Sequence, residues 1–213
     1  MSAIRVAPNV TKVILGTSVN NVFLITGKTR AVLFDSGWDE NDNLDRIIAM
    51  WKAAGSPKIA AIVISHKHRD HSGGALKLSQ ATGGKVYATV LDQALIAADQ
   101  PDQPVHHNPK DGETIDIGGA TIEMVYTPGH TMGSLSAYHR EQRMLFAGDS
   151  IRTAAPFRWD KVNGSLPAHL ETLKKLQKRD ISMIGVGHGP EVTDPRAFIA
   201  NELAILPARI GEK

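Results

Sequence analysis

The stretch that most constrains this chain is Ser65-His66-Lys67-His68-Arg69-Asp70-His71-Ser72-Gly73-Gly74, which follows directly on Ile59-Ala60-Ala61-Ile62-Val63-Ile64. The apolar run is short, unbroken and rich in β-branched residues, the pattern of a buried strand, so the histidines fall at a strand's carboxyl end. His66 and His68 are two residues apart, and on extended backbone both imidazoles leave on the same side, close enough to share one ion. Asp70 and His71 are adjacent and would face apart on extended chain. The Ser72-Gly73-Gly74 segment permits a sharp turn that aims this second pair at a neighbouring ion. The chain has no cysteine. That excludes disulfides, thiolate metal sites, iron–sulfur clusters and a Cys nucleophile, and leaves His and carboxylate as the only metal ligands.

A length of 213 residues is ample for a buried core and is read as one domain over residues 1–213. The net charge of +2, with no block of like charges, gives no reason to expect a nucleic-acid partner. No apolar run approaches a membrane span, and Met1 to Gly16 lacks the basic start and apolar stretch of a signal peptide. The expectation is a cytoplasmic protein acting on a small molecule away from membranes.

Val10–Leu15, Asn21–Thr26 and Arg30–Phe34 are apolar runs separated by turn formers, the pattern of an antiparallel meander. Asp39 to Ala54 carries Leu44, Ile47, Ile48 and Trp51 at helical spacing and ends at Gly55 and Pro57. After the histidine motif come a helix over 73–81, a strand over 85–89 and a helix over 91–99. Residues 100–112, with Pro101, Pro104 and Pro109, read as a loop. Strands are expected over 113–117, 120–126, 135–139, 143–147 and 181–186, and a helix capped by Ser165 carries Leu166, Leu170, Leu173 and Leu176 on one stripe. A last helix is expected over 194–209. Two groups of strands with helices outside make an α/β layered domain.

Three further segments repeat the design of a polar ligand beside glycine after an apolar run. They are Thr127-Pro128-Gly129-His130-Thr131, Leu145-Phe146-Ala147-Gly148-Asp149-Ser150 and Gly185-Val186-Gly187-His188-Gly189-Pro190. Glycine lets backbone approach an ion closely and makes the turn that presents a side chain at a strand end.

Through the H-x-H-x-D-H motif at His66 to His71, the glycine-flanked His130, Gly148-Asp149 and Gly187-His188-Gly189, the sequence resembles the metallo-β-lactamase superfamily over nearly its whole length. The resemblance implies a four-layer αββα sandwich with two mixed sheets, helices outside and a metal cleft along the sheet edges. It implies one ion on His66, His68 and His130, a second on Asp70, His71 and His188, Asp149 bridging the two, and Asp35 as an orienting partner beneath the motif loop. Nitrogen and carboxylate ligands without sulfur suit two Zn²⁺, while Mn²⁺ and Fe also accept carboxylate-rich sites. Two such ions supply a bridging hydroxide at neutral pH, and Asp70 doubles as the catalytic group that orients it.

Departures from the better-known branches narrow the substrate. The zinc β-lactamases that use this motif place a cysteine where this chain has Asp149, so β-lactam hydrolysis is expected to be weak. Glyoxalase II enzymes share the ligand set but add a C-terminal helical domain, and only about one helix follows His188 here. Acyl-homoserine lactone hydrolases carry tyrosine where this chain has Arg152. The reading is a dinuclear hydrolase of a small-molecule ester, thioester, lactone or amide. The alternative is an oxidoreductase like the persulfide dioxygenases, with one iron on two His and one Asp. Arg152, Phe157, Arg158 and Trp159, in the irregular stretch after Asp149, are the candidate substrate contacts, cations and aromatics suiting an anionic group beside an apolar one. Gly16 to Asn21 is a candidate second wall. His106, His107, His139 and His169 are assigned to no site.

Overall fold

The computed structural model describes residues 3–16 and 19–211. Its chain opens with strands β1 (Ile4–Ala7), β2 (Val10–Leu15), β3 (Asn20–Thr26) and β4 (Arg30–Phe34), an antiparallel meander, followed by helix α1 (Asn41–Ala53) and strand β5 (Lys58–Val63). Helices α2 (Arg69–Ser72) and α3 (Ala75–Thr82), strand β6 (Lys85–Tyr87) and helix α4 (Val90–Asp99) come next. The second half holds β7 (Thr114–Asp116), β8 (Thr121–Tyr126), β9 (Leu135–His139), β10 (Met144–Phe146), a 3₁₀ turn at Gly148–Ser150, α5 (Leu166–Gln177), β11 (Met183–Gly185) and α6 (Pro195–Gly211). Among the described residues no helix is long and apolar enough to cross a membrane.

The strands form two mixed sheets, β1-β2-β3-β4-β5-β6 and β11-β10-β9-β8-β7. Alternation along β3 and β4 shows how they stack. Phe23, Ile25, Val32 and Phe34 face the second sheet and meet Met124, Leu135, Ala137 and Phe146. Val22, Leu24, Ala31 and Leu33 face the other way, against Ile47 and Met50 of α1, Leu78 of α3 and Ile96 of α4. The outer face of the second sheet, with Val125, Leu145 and Ile184, is covered by Leu173 and Leu176 of α5 and Ile199 of α6. Three apolar layers between four structural layers are the αββα sandwich, each strand face being buried by the period of two in its sequence.

Two details differ from the sequence reading. Strand β1 was not anticipated, because a mostly exposed edge strand carries little apolar signal. Asp70 and His71 lie on one helical turn rather than on extended chain. The amides of His71 and Ser72 both bond the His68 carbonyl at 2.9 Å, so the two side chains diverge by about 100° and reach the same cleft. The glycines that follow serve close packing: a Cβ on Gly73 would lie 2.6 Å from the Arg69 carbonyl oxygen and one on Gly74 2.4 Å from that of Ser36.

The site lies where the strands end. β4 and β5 are parallel, β10 and β11 are parallel, and β8 runs with β10 because both are antiparallel to β9. Their carboxyl ends therefore leave the sandwich on one edge, with Asp35, Ser65–Ser72, Thr127–Thr131, Gly148–Ser150 and Val186–Pro190 as the emerging segments. The Leu135 amide bonds the Ser65 carbonyl at 2.8 Å and the Asn21 amide bonds that of Gly187 at 2.7 Å, which ties the two sheets together at this edge.

Candidate metal centre

Seven side chains from four segments converge in the cleft. His66, His68 and His130 form one trio, Asp70, His71 and His188 another, and His66, His71 and Asp149 link them; within each group the ligand atoms lie within 4.8 Å of one another. His66 Nε2 is 2.9 Å and His130 Nε2 3.1 Å from His68 Nδ1. His71 Nε2 is 3.2 Å from His188 Nε2, which is 3.1 Å from Asp70 Oδ2. Asp149 spans both trios. Its Oδ2 lies 3.8 Å from His130 Nε2, and its Oδ1 lies 3.6 Å from His188 Nε2 and 3.7 Å from His71 Nε2.

Hydrogen bonds behind the cleft decide what the imidazoles present to it. His71 Nδ1 donates to Asp35 Oδ2 at 2.8 Å. Ser65 Oγ donates to the same Asp35 oxygen at 3.0 Å and therefore accepts from His66 Nδ1, also at 3.0 Å. His130 Nδ1 donates to the Arg158 carbonyl at 2.8 Å, and His68 Nε2 donates to Asp160 Oδ2 at 2.9 Å. In its neutral form each of these four rings spends its one N–H outside the cleft and so turns a lone pair into it. Lone pairs about 3 Å apart repel unless a cation lies among them.

For His66, His130 and Asp70 the charge pattern agrees. Burial and the neighbouring histidines push His66 well below its usual range, and burial brings His130 down to about 4, so both rings are unprotonated at neutral pH, the form that can bind a metal. For His71 burial acts downward, but the contact with Asp35 outweighs it and raises the group. For Asp70 burial acts upward, yet hydrogen bonds from His188 and His71 hold the carboxyl far below the usual range, so it is ionised.

A divalent pair fits this donor set. Among the described residues none donates a hydrogen bond to the buried Asp149 Oδ1, an orphan a cation would satisfy. Gly187 is required there, since a Cβ would lie 2.4 Å from that oxygen. Asp149 Oδ2 receives the Arg152 guanidinium, whose side chain is 17% exposed.

The expected substrate contacts are placed differently from one another. Arg152 is bound to Asp149 instead of lining an outer wall. Phe157 does not offer its ring to a substrate: it is buried in the core of the second sheet and stacks on His169 at 3.4 Å. Arg158 is exposed and meets the site through its backbone carbonyl, and Trp159 is exposed. In the expected second wall, Thr17 and Ser18 lie outside the described residues. Asn20 donates to the Asp70 carbonyl at 2.5 Å, and Asn21 donates to those of Val186 and Gly189 at 2.9 Å. The unassigned histidines have structural partners, His106 accepting from the Val86 amide, His107 pairing with Glu113 and His139 with Glu141.

Two carboxylates went unread in the sequence. Asp160 binds His68 and Lys67 while its other oxygen accepts from the amides of Val162 and Asn163. Asp92, buried at the start of α4, accepts from the Lys67 amide, Thr131 Oγ1 and Asn163 Nδ2. The only sequence signal for Asp92 was its place three residues after the helix-capping Thr89.

Comparison with known proteins follows the same lines. The chain is 31% identical over 120 residues to a hydroxyacylglutathione hydrolase of Hyphomonas neptunium, covering 56% of this chain and 44% of that protein. It is 28% identical over 206 residues to an atrochrysone carboxyl ACP thioesterase of Emericella nidulans, covering 94% and 62%. The chain thus spans about half the length of the curated relatives it matches. A solved metallo-beta-lactamase from Pontibacter korlensis superposes with a TM-score of 0.81 at 20% identity, covering 97% of this chain and 98% of that one, which bears on the fold. The model of the metallo-beta-lactamase superfamily matches residues 15–188, so the chain belongs to that superfamily.

Proposed function

We propose that this chain is a dinuclear metal-dependent hydrolase of a small-molecule ester, thioester, lactone or amide. The observation that carries the reading is Asp149, whose two oxygens face two separate trios of ligand atoms. His66 Nε2, His68 Nδ1 and His130 Nε2 would hold one divalent ion, and Asp70 Oδ2, His71 Nε2 and His188 Nε2 the other, with zinc favoured by the ligand types. Such a pair supplies a nucleophilic water activated at neutral pH and neutralises charge developing on a substrate oxygen.

The chain's own residues do the rest. Asp35 and Ser65 fix the rings of His71 and His66, and Asp160 and the Arg158 carbonyl fix those of His68 and His130, so the ligands need no reorganisation. Asp70, ionised at neutral pH, accepts a hydrogen bond from the attacking water and sets its line of approach. Relatives named as a hydroxyacylglutathione hydrolase and an acyl carrier thioesterase support a thioester-like substrate. The test is turnover of a thioester, a lactone, an aryl ester, a cephalosporin and a phosphodiester before chelation, after chelation and after zinc is restored. Turnover of a carbonyl substrate that chelation abolishes and zinc restores is expected; an inert zinc-loaded protein, or chelator-resistant turnover, overturns the proposal.

A further inference from the structure

Helix α4 is apolar on a face it does not bury. Ile96 packs into the core, yet Leu91, Leu95 and Ala98, at i, i+4 and i+7, form a second stripe on which Leu91 is 54% exposed and Ala98 is exposed. Leu95 and Ala98 of that stripe border an open hollow of about 530 Å³ that Trp38 lines as a further apolar wall and that His68 and Asp70 of the cleft also line. A volume of this size is within the range of small-molecule sites. A second hollow of about 520 Å³ adjoins it, sharing Trp38, Arg69 and Asp99.

The charged groups along this groove are already paired. Arg69 binds Asp99 through Nε at 2.8 Å, and Lys67 binds Asp160 at 3.0 Å. An anionic tail would therefore find cations whose charge is spent, whereas an alkyl tail finds Trp38, Leu95 and Ala98.

We propose that the groove between Trp38 and α4 holds an apolar acyl chain, with the carbonyl it carries at His68 and Asp70. The inference rests on the hydrolase reading and narrows it to substrates whose acyl part is a straight alkyl chain. The acid product of such a reaction keeps the chain, so product binding reports the groove independently of turnover.

The experiment measures by calorimetry the affinity of the zinc-loaded protein for acetate, butanoate, hexanoate and octanoate. The head group is constant, and each half-buried methylene adds about twofold, roughly sixtyfold from acetate to octanoate. Leu95→Ser and, separately, Trp38→Ala should flatten that slope. A flat series in the wild type, or a slope that both variants preserve, overturns the acyl groove. Thioesters of the same acids are assayed in parallel: turnover with a flat binding series removes the groove and leaves the hydrolase reading, and a steep binding series without turnover does the reverse.

Discussion

His68 and Asp160, ninety-two residues apart in the chain, meet at 2.9 Å through His68 Nε2 and Asp160 Oδ2. This contact reverses the orientation of one ring in the trio. His66 and His130 present Nε2 to the cleft, while His68 presents Nδ1 because its Nε2 proton is taken. The segment carrying Asp160 is in turn fastened to His130, whose carbonyl accepts from the Asp160 amide at 2.7 Å. One loop thus fixes two of the three rings in the trio.

Asp160→Asn keeps the shape of the side chain and removes its charge, leaving Lys67 and His68 without a carboxylate. The expected outcome is about 10- to 100-fold weaker zinc binding with an unchanged far-ultraviolet spectrum. Chelator competition checks it, and wild-type affinity would show that Asp160 only shapes the loop.

Arg152 places a positive charge on the carboxylate proposed to bridge the ions. A cation in contact with a ligand opposes a dication there, so Arg152→Ala should bind the first zinc more tightly, by about tenfold or more. Titration against a competing chelator measures this. Weaker binding would mean that Arg152 instead supports Asp149 in its ligating orientation.

Asp92 joins the motif loop, the His130 loop and the Asp160 loop from a buried position. Asp92→Ala leaves the Lys67 amide and the Thr131 hydroxyl without that acceptor, and should lower stability by about 2–3 kcal/mol in urea unfolding. A loss under about 0.5 kcal/mol would contradict the role.

The His130 ring sets a pH dependence in the metal-free protein. Burial brings it from 6.5 to about 4, so between those values the unfolded chain holds more protons than the native one. Its contribution to stability is complete above pH 6.5, falls as the pH drops and is gone below about 4. His71, raised instead, is protonated in both states within that window and contributes no slope. Urea midpoints of metal-free wild type and His130→Gln should diverge accordingly, with the variant flatter between pH 4 and 6.5; equal slopes would contradict it.

Much of this architecture was legible because burial on both faces leaves a clear mark. The five-residue run Leu135–His139 forms β9 with the limits read from the sequence, and Ser165 caps α5 as expected, accepting from the Ala168 amide. The residues that converge in the cleft were legible because each follows an apolar run and stands beside glycine or in the histidine motif. The short helix α2 was not, since a single turn of Arg-Asp-His-Ser has no apolar period to detect. Asp160 was hidden for another reason. Its loop has the composition of a substrate wall, and only folding shows that Phe157 turns inward to stack on His169 while Asp160 reaches His68.

The central claim is that Asp149 joins two ion sites, and the most direct test is metal stoichiometry. Protein purified without added metal, and Asp149→Ala prepared in the same way, are analysed for zinc, manganese and iron per chain and checked for fold by circular dichroism. The account predicts about two ions per wild-type chain, predominantly zinc, and no more than one in a folded Asp149→Ala variant. A single iron per wild-type chain, or two zinc ions retained without Asp149, would contradict it.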